Sequence, residues 1–165
     1  ARPEESPQHY RKALECGEET HDIFLKGIAQ DYLALRMHFN SLGIEDPDQR
    51  MKLAEEAMRF YDKGQQHLSV MSYLFRQVGI ICPPGGYAEH YFVEAWVEIN
   101  REKKLELLEK SETAGLKGVK VAEDSDIPII IDQVCHYLSK TLQARASLEQ
   151  DVDVKKRLLD RAVIH

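Results

Sequence analysis

The chain has 165 residues, 43% hydrophobic and 30% charged, with a formal net charge of −6. That balance excludes a disordered segment, and its acidity excludes a nucleic-acid footprint spread over the surface. No run approaches the ~20 consecutive apolar residues of a membrane span, so neither nucleic acid nor membrane is an expected partner.

The length predicts a single domain over 1–165 that buries roughly 70% of the surface its unfolded chain exposes. Three scattered cysteines, Cys16, Cys82 and Cys135, share no metal or disulfide spacing, which points to a reducing compartment, cytoplasmic or nuclear. The opening "ARPEESP" has no methionine, and the chain reads as a fragment of a larger protein.

The first predicted helix covers about 7–42. Tyr10, Leu14, Gly17, His21, Phe24, Ile28, Tyr32, Leu35 and Phe39 recur in steps of three and four, the helical period. Ser6 before Pro7 is an N-terminal signal, and Gly43 is the stop. The second helix covers about 47–78, with Asp46 as cap, Pro47 at the first position and Gln49 completing a capping box. Two adjacent stripes, one through Leu53, Ala57, Phe60, Gly64 and His67, the other through Ala54, Met58, Tyr61 and Leu68, give it a wide apolar face. Gly64 and Ala57 on that face allow close helix approach.

The stretch "IICPPGGYAEHY" (80–91) reads as a corner, because Pro83 and Pro84 oppose helix continuation and Gly85 and Gly86 permit a tight reversal. A third helix follows over about 87–114, its stripe interrupted at "NREKK", where a kink is expected near Arg101. Residues 115–126, with two glycines and an acidic run, read as a long connection. A fourth helix covers about 127–163, with a break near Asp151 that would begin a short fifth. No strand pattern appears. The predicted fold is all-α, an up-down-up-down bundle of four long antiparallel helices.

Two constellations carry functional expectations. The first is a metal site. Carboxylate-bridged di-iron bundles use Glu-x-x-His on two helices, since residues three apart share a face. The motif occurs once, at Glu18 and His21, and an antiparallel register about 44–45 brings His67 to the height of His21. Glu18, His21 and His67 are therefore the candidate metal ligands of an alternative reading, a metal- or cofactor-binding bundle with oxidoreductase chemistry. Facing core histidines that satisfy one another are the commoner arrangement, and the main reading assigns no cofactor.

The second is a contact surface for a protein partner. Tyr87, His90 and Tyr91 lie just past the 80–86 corner, and Leu105, Leu107 and Leu108 fall out of phase with their helix. No nucleophile elbow, zinc-protease motif or phosphate loop is present. His38, His90 and His136 fall at positions expected to face solvent, with no partner that would make one a base. The expected function is thus a non-catalytic interaction or scaffolding module that binds a partner helix or associates with itself as an oligomer. The basic clusters at 101–104 and 155–157 are interleaved with acids and read as solvated helix faces.

Overall fold

A computed structural model of the chain describes residues 6–69, 83–125 and 128–164. These residues are all-α, with seven helices: α1 Ser6–Glu19, α2 Ile23–Ser41, α3 Pro47–Ser69, α4 Pro83–Val97, α5 Arg101–Ser125, α6 Pro128–Leu148 and α7 Val152–Ile164. Contacts divide the chain into two compact units, Ala1–Ser72 and Tyr73–His165. Four long helices were expected, and three of them prove to be subdivided.

The first division falls within 7–42, at residues 20–22. Asp22 N–H donates to the carbonyl of Gly17 at 2.9 Å and His21 N–H to that of Glu18 at 3.4 Å. His21 has a φ of 54°, the left-handed conformation. This pattern is a Schellman termination, normally closed by glycine, with histidine in glycine's place. Asp22 then caps the next helix at once, its carboxylate accepting from Leu25 N–H at 2.9 Å. The apolar stripe runs through the break without losing phase, which is why periodicity alone suggests one helix.

The α2–α3 connection follows the sequence signals. Asp46 accepts from Asp48 N–H at 2.9 Å and Gln49 N–H at 3.0 Å. Gln49 Nε2 returns to the Asp46 carboxylate at 3.4 Å. Arg50 fastens the turn by donating to the carbonyls of Ile44 and Glu45 at 2.7 and 3.0 Å. The end of the second predicted helix, and residues 80–82 of the expected corner, lie outside the described residues. Pro83 and Pro84 do not form a reversal but open α4. A proline loses nothing in a first helical turn, where the N–H has no intrahelical acceptor.

The interruption at "NREKK" is a full break. α4 ends at Val97, and Asn100 caps α5 by accepting from Lys103 N–H at 3.0 Å. The expected loop at 115–126 is corrected as well, since α5 runs through both glycines to Ser125. A Cβ at Gly115 would stand 3.1 Å from Leu138 Cδ1, so the glycine lets α5 and α6 approach closely instead of ending a helix. The break near Asp151 is as expected, with its carboxylate capping α7 through Asp153 and Val154 N–H at 2.9 and 3.0 Å.

In the first unit α2 packs between α1 and α3. Leu33, Met37 and Ala57 are buried, flanked by Tyr10, Leu53 and Phe60. α2 and α3 run antiparallel and touch at Gly27 and Gly64, where a Cβ on Gly64 would lie 3.0 Å from the carbonyl oxygen of Gly27. Gln65 donates to Asp31 at 2.9 Å, and His67 Nδ1 lies 2.9 Å from Gln30 Oε1, so polar bonds border the glycine contact.

In the second unit α4, α5 and α6 each pack on the other two, and α7 packs on α6. One apolar layer holds Ala95, Leu107 and Leu108 with Tyr91, Phe92, Ala144 and Leu148. A second holds Leu138, Leu142 and Ala146 against Leu158 and Ala162 of α7.

Candidate functional site

The three candidate metal ligands do not converge. Glu18 and His21 are exposed, and the α-helix that would have put them on one face ends at Glu19. His67 is half-buried and bonded to Gln30, not brought opposite His21. The cause is local: the Schellman corner turns the chain at 20–22, so His21 is not part of α2. Among the described residues no group of three His, Cys, Asp or Glu side chains is placed to hold a metal ion.

The other histidines divide by burial. His136 is exposed, as expected, its ring edge-on to Tyr137. His38, expected at a solvent-facing position, is 1% exposed. Desolvation lowers its pKa from 6.5 to about 4, partly countered by a hydrogen bond to the carbonyl of Ala54, so it sits in the core as a neutral ring. His90 is also buried, not at the surface expected of it.

Of the other residues expected to meet a partner, Leu107 and Leu108 are core side chains packed on Ala95. Leu105 is half-buried. Tyr87 and Tyr91, also half-buried, stack on each other with centroids 5.9 Å apart. The leucines fall out of phase because α5 starts afresh at Arg101 and faces both α4 and α6.

Polar groups between the helices of this unit are largely spent on structure. Ser111 donates to the Ala88 carbonyl at 2.7 Å, its hydroxyl lies 2.7 Å from that of Thr141, and Thr141 donates to the Tyr137 carbonyl at 2.8 Å. Tyr137 OH donates to Glu89 at 2.5 Å. Burial raises the Glu89 pKa, with the tyrosine hydrogen bond and Lys140 opposing. Burial raises that of Tyr137 too, and the glutamate beside it adds to the rise. Glu112, almost wholly buried, accepts from Arg145 of α6 and, at 2.6 Å, from Arg161 of α7. It fastens three helices.

What these contacts leave open lies at the end of the unit where α4 meets α5. Trp96 is 65% exposed and Ile99 76%. Trp96 is one wall of a groove of about 120 Å³ lined also by Phe92, Ala95, Lys104, Leu108 and Leu148, among others. Trp96 leans on Phe92, with ring centroids 6.0 Å apart. Sequence periodicity places Phe92, Ala95, Trp96 and Ile99 on one apolar face. It does not show that the face outruns its cover, because the break at 98–100 exposes Ile99.

The described residues thus define an all-α protein, and among them no helix is long and apolar enough to cross a membrane. No protein-family model, curated protein or solved structure matches the chain.

Proposed function

We propose that the chain is a non-catalytic protein-interaction module whose second unit carries the binding face. One observation carries this reading: Trp96 walls an apolar groove while staying largely exposed, and Ile99, three residues on, is exposed as well instead of packing into the core. Large aromatic side chains next to a cavity are the usual anchors of protein interfaces, and contiguous exposed apolar surface is costly to keep without a use. The polar groups between the helices support the same reading, since Glu89, Glu112, Ser111 and Thr141 all serve helix-to-helix bonds.

The test is affinity capture from native extract, with the wild-type chain compared against Trp96→Ala/Ile99→Ser by quantitative mass spectrometry. A Phe39→Ser variant, altering an exposed apolar residue of the first unit, serves as control. The reading expects the proteins captured by the wild type to be lost with the double variant and kept with the control. A captured set indifferent to Trp96 and Ile99 would overturn it.

A further inference from the structure

We propose that the bond between Glu89 and Tyr137 fixes the packing of Phe92 and Trp96, so that proton uptake by Glu89 reshapes the groove. The inference rests on the interaction reading above and adds a regulation of its face.

The parts lie in one row. Glu89, Phe92 and Trp96 are three and four positions apart on α4, and side chains at that spacing share a helix face. Tyr137 of α6 reaches two of them. Its hydroxyl donates to Glu89 at 2.5 Å, and its ring centroid lies 6.2 Å from that of Phe92. Phe92 in turn supports Trp96, with centroids 6.0 Å apart. Tilted rings at these distances hold one another's pose. Phe92 and Trp96 are both walls of the groove, so a change in their packing changes its shape. The backbones around the row are tied independently: Ser111 bonds to the Ala88 carbonyl and to Thr141, and Thr141 to the Tyr137 carbonyl. Side chains can therefore shift while the helices stay in place.

Glu89 is the member that takes the proton. Positions three and four away on α4 are Gly85, Gly86, Phe92 and Val93, none of them charged. α6 presents Tyr137 and Lys140 to it, the ammonium 5.8 Å from the Tyr137 ring centre, and His136 stands edge-on to the same ring. Lys110 of α5 acts on Tyr91 and Glu94, which the helical period puts on the opposite side of α4. Burial outweighs the tyrosine bond and Lys140, and lifts the Glu89 carboxyl above its ordinary 4.5. With its pKa raised, ionised Glu89 costs stability, and the cost disappears as pH falls through the folded value. Neutralising Glu89 therefore favours the fold instead of opposing it. The neutral acid has lost the charge that strengthened the tyrosine bond, roughly half of its strength. Tyr137 relaxes, Phe92 follows it, and the Trp96 indole turns further into solvent.

Trp96 is the chain's one tryptophan, so its emission reads the groove directly. The experiment records that emission for the full chain from neutral pH down to the ordinary carboxylate range, with far-UV circular dichroism at each step. The expected result is a shift to longer wavelength at constant helix content. Glu89→Gln, which imitates the neutral acid, and Tyr137→Phe, which keeps the ring without the bond, should both show the acid emission at every pH. Lys140→Gln, at an exposed position that leaves the core intact, should keep the transition and move its midpoint to higher pH, because Lys140 favours the carboxylate. His136→Gln should change neither midpoint nor amplitude. A transition retained by Glu89→Gln or Tyr137→Phe, unmoved by Lys140→Gln, or removed by His136→Gln would overturn the coupling to Glu89. So would a wild-type emission that is constant with pH, or one that changes only in step with a loss of helix. Trp96-dependent capture without the transition would overturn the coupling and leave the interaction reading standing. The transition without such capture would overturn the interaction reading and leave the coupling.

Discussion

The contact between α2 and α3 gives the sharpest test of the packing. Replacing Gly27 by alanine would place a Cβ 2.5 Å from Leu68 Cγ, 2.7 Å from its Cδ2 and 3.3 Å from the Gly64 carbonyl oxygen. Carbon atoms prefer roughly 3.5–4.0 Å, so either Leu68 must leave its buried site or the helices must part by about 1 Å. Parting them would stretch the Asp31–Gln65 and Gln30–His67 bonds, both 2.9 Å. Overpacking of this kind costs about 1–3 kcal/mol, against which alanine regains about 1 kcal/mol of helix propensity. The expected outcome is a net effect between neutral and a loss of about 2 kcal/mol, read from urea unfolding followed by circular dichroism. Gly43→Ala is the control, because its Cβ meets nothing closer than 3.7 Å, and it should stay within about 0.5 kcal/mol of wild type. Leu68→Ala should absorb the clash, so the double variant should lose less than the sum of the two singles. A Gly27→Ala protein more stable than wild type by the full propensity gain, and additive with Leu68→Ala, would refute the close approach.

His38, held neutral by burial with a pKa of about 4, makes the first unit sensitive to acid. The unfolded chain takes up the proton first, so this contribution is complete above pH 6.5 and is lost as pH falls to 4, about 3 kcal/mol in all. The difference in urea stability between wild type and His38→Gln should shrink across that window, and a constant difference would contradict the burial. Glu112→Ala removes an acceptor shared by Arg145 and Arg161. It should cost about 2–3 kcal/mol, less than a fully buried pair because both arginines are partly exposed, and a loss below about 0.5 kcal/mol in chemical denaturation would count against the three-helix tie. His21→Gly should raise stability by about 0.5–1 kcal/mol, since glycine adopts a φ of 54° without a Cβ penalty. His21→Val should lower it, and thermal melts of the pair should therefore move in opposite directions.

Helix class and several boundaries were legible because their signals are local. Asp46, Pro47 and Asp151 act through bonds to residues two or three positions away, and the glycine approach at Gly64 was readable from its place on an apolar stripe. The division at 20–22 was hidden, because a histidine holds the left-handed position and the stripe stays in phase across it. Prolines 83 and 84 were ambiguous in principle, since the same residue closes one helix and opens another. Gly115 and Gly118 resembled a loop, and only the neighbour shows that a helix needed Gly115. The candidate site was the least legible. Glu18 and His21 depend on a helix that stops at Glu19, and Leu107 and Leu108 became core once α5 was set against two neighbours. Trp96 and Ile99 are ordinary apolar residues in sequence, and their exposure is a property of the corner that follows them.

The packing described for α1, α2 and α3 is satisfied by residues 6–69, each helix resting on the next in the chain. Contacts between sequence neighbours close with little loop entropy, which places such helical units among the fast folders. The first unit can therefore acquire its core on the ribosome while the second is still being synthesised. That order shelters Leu33, Met37 and Ala57 before Trp96 and Ile99 emerge, and it shortens the time in which the apolar surfaces of both units are exposed together.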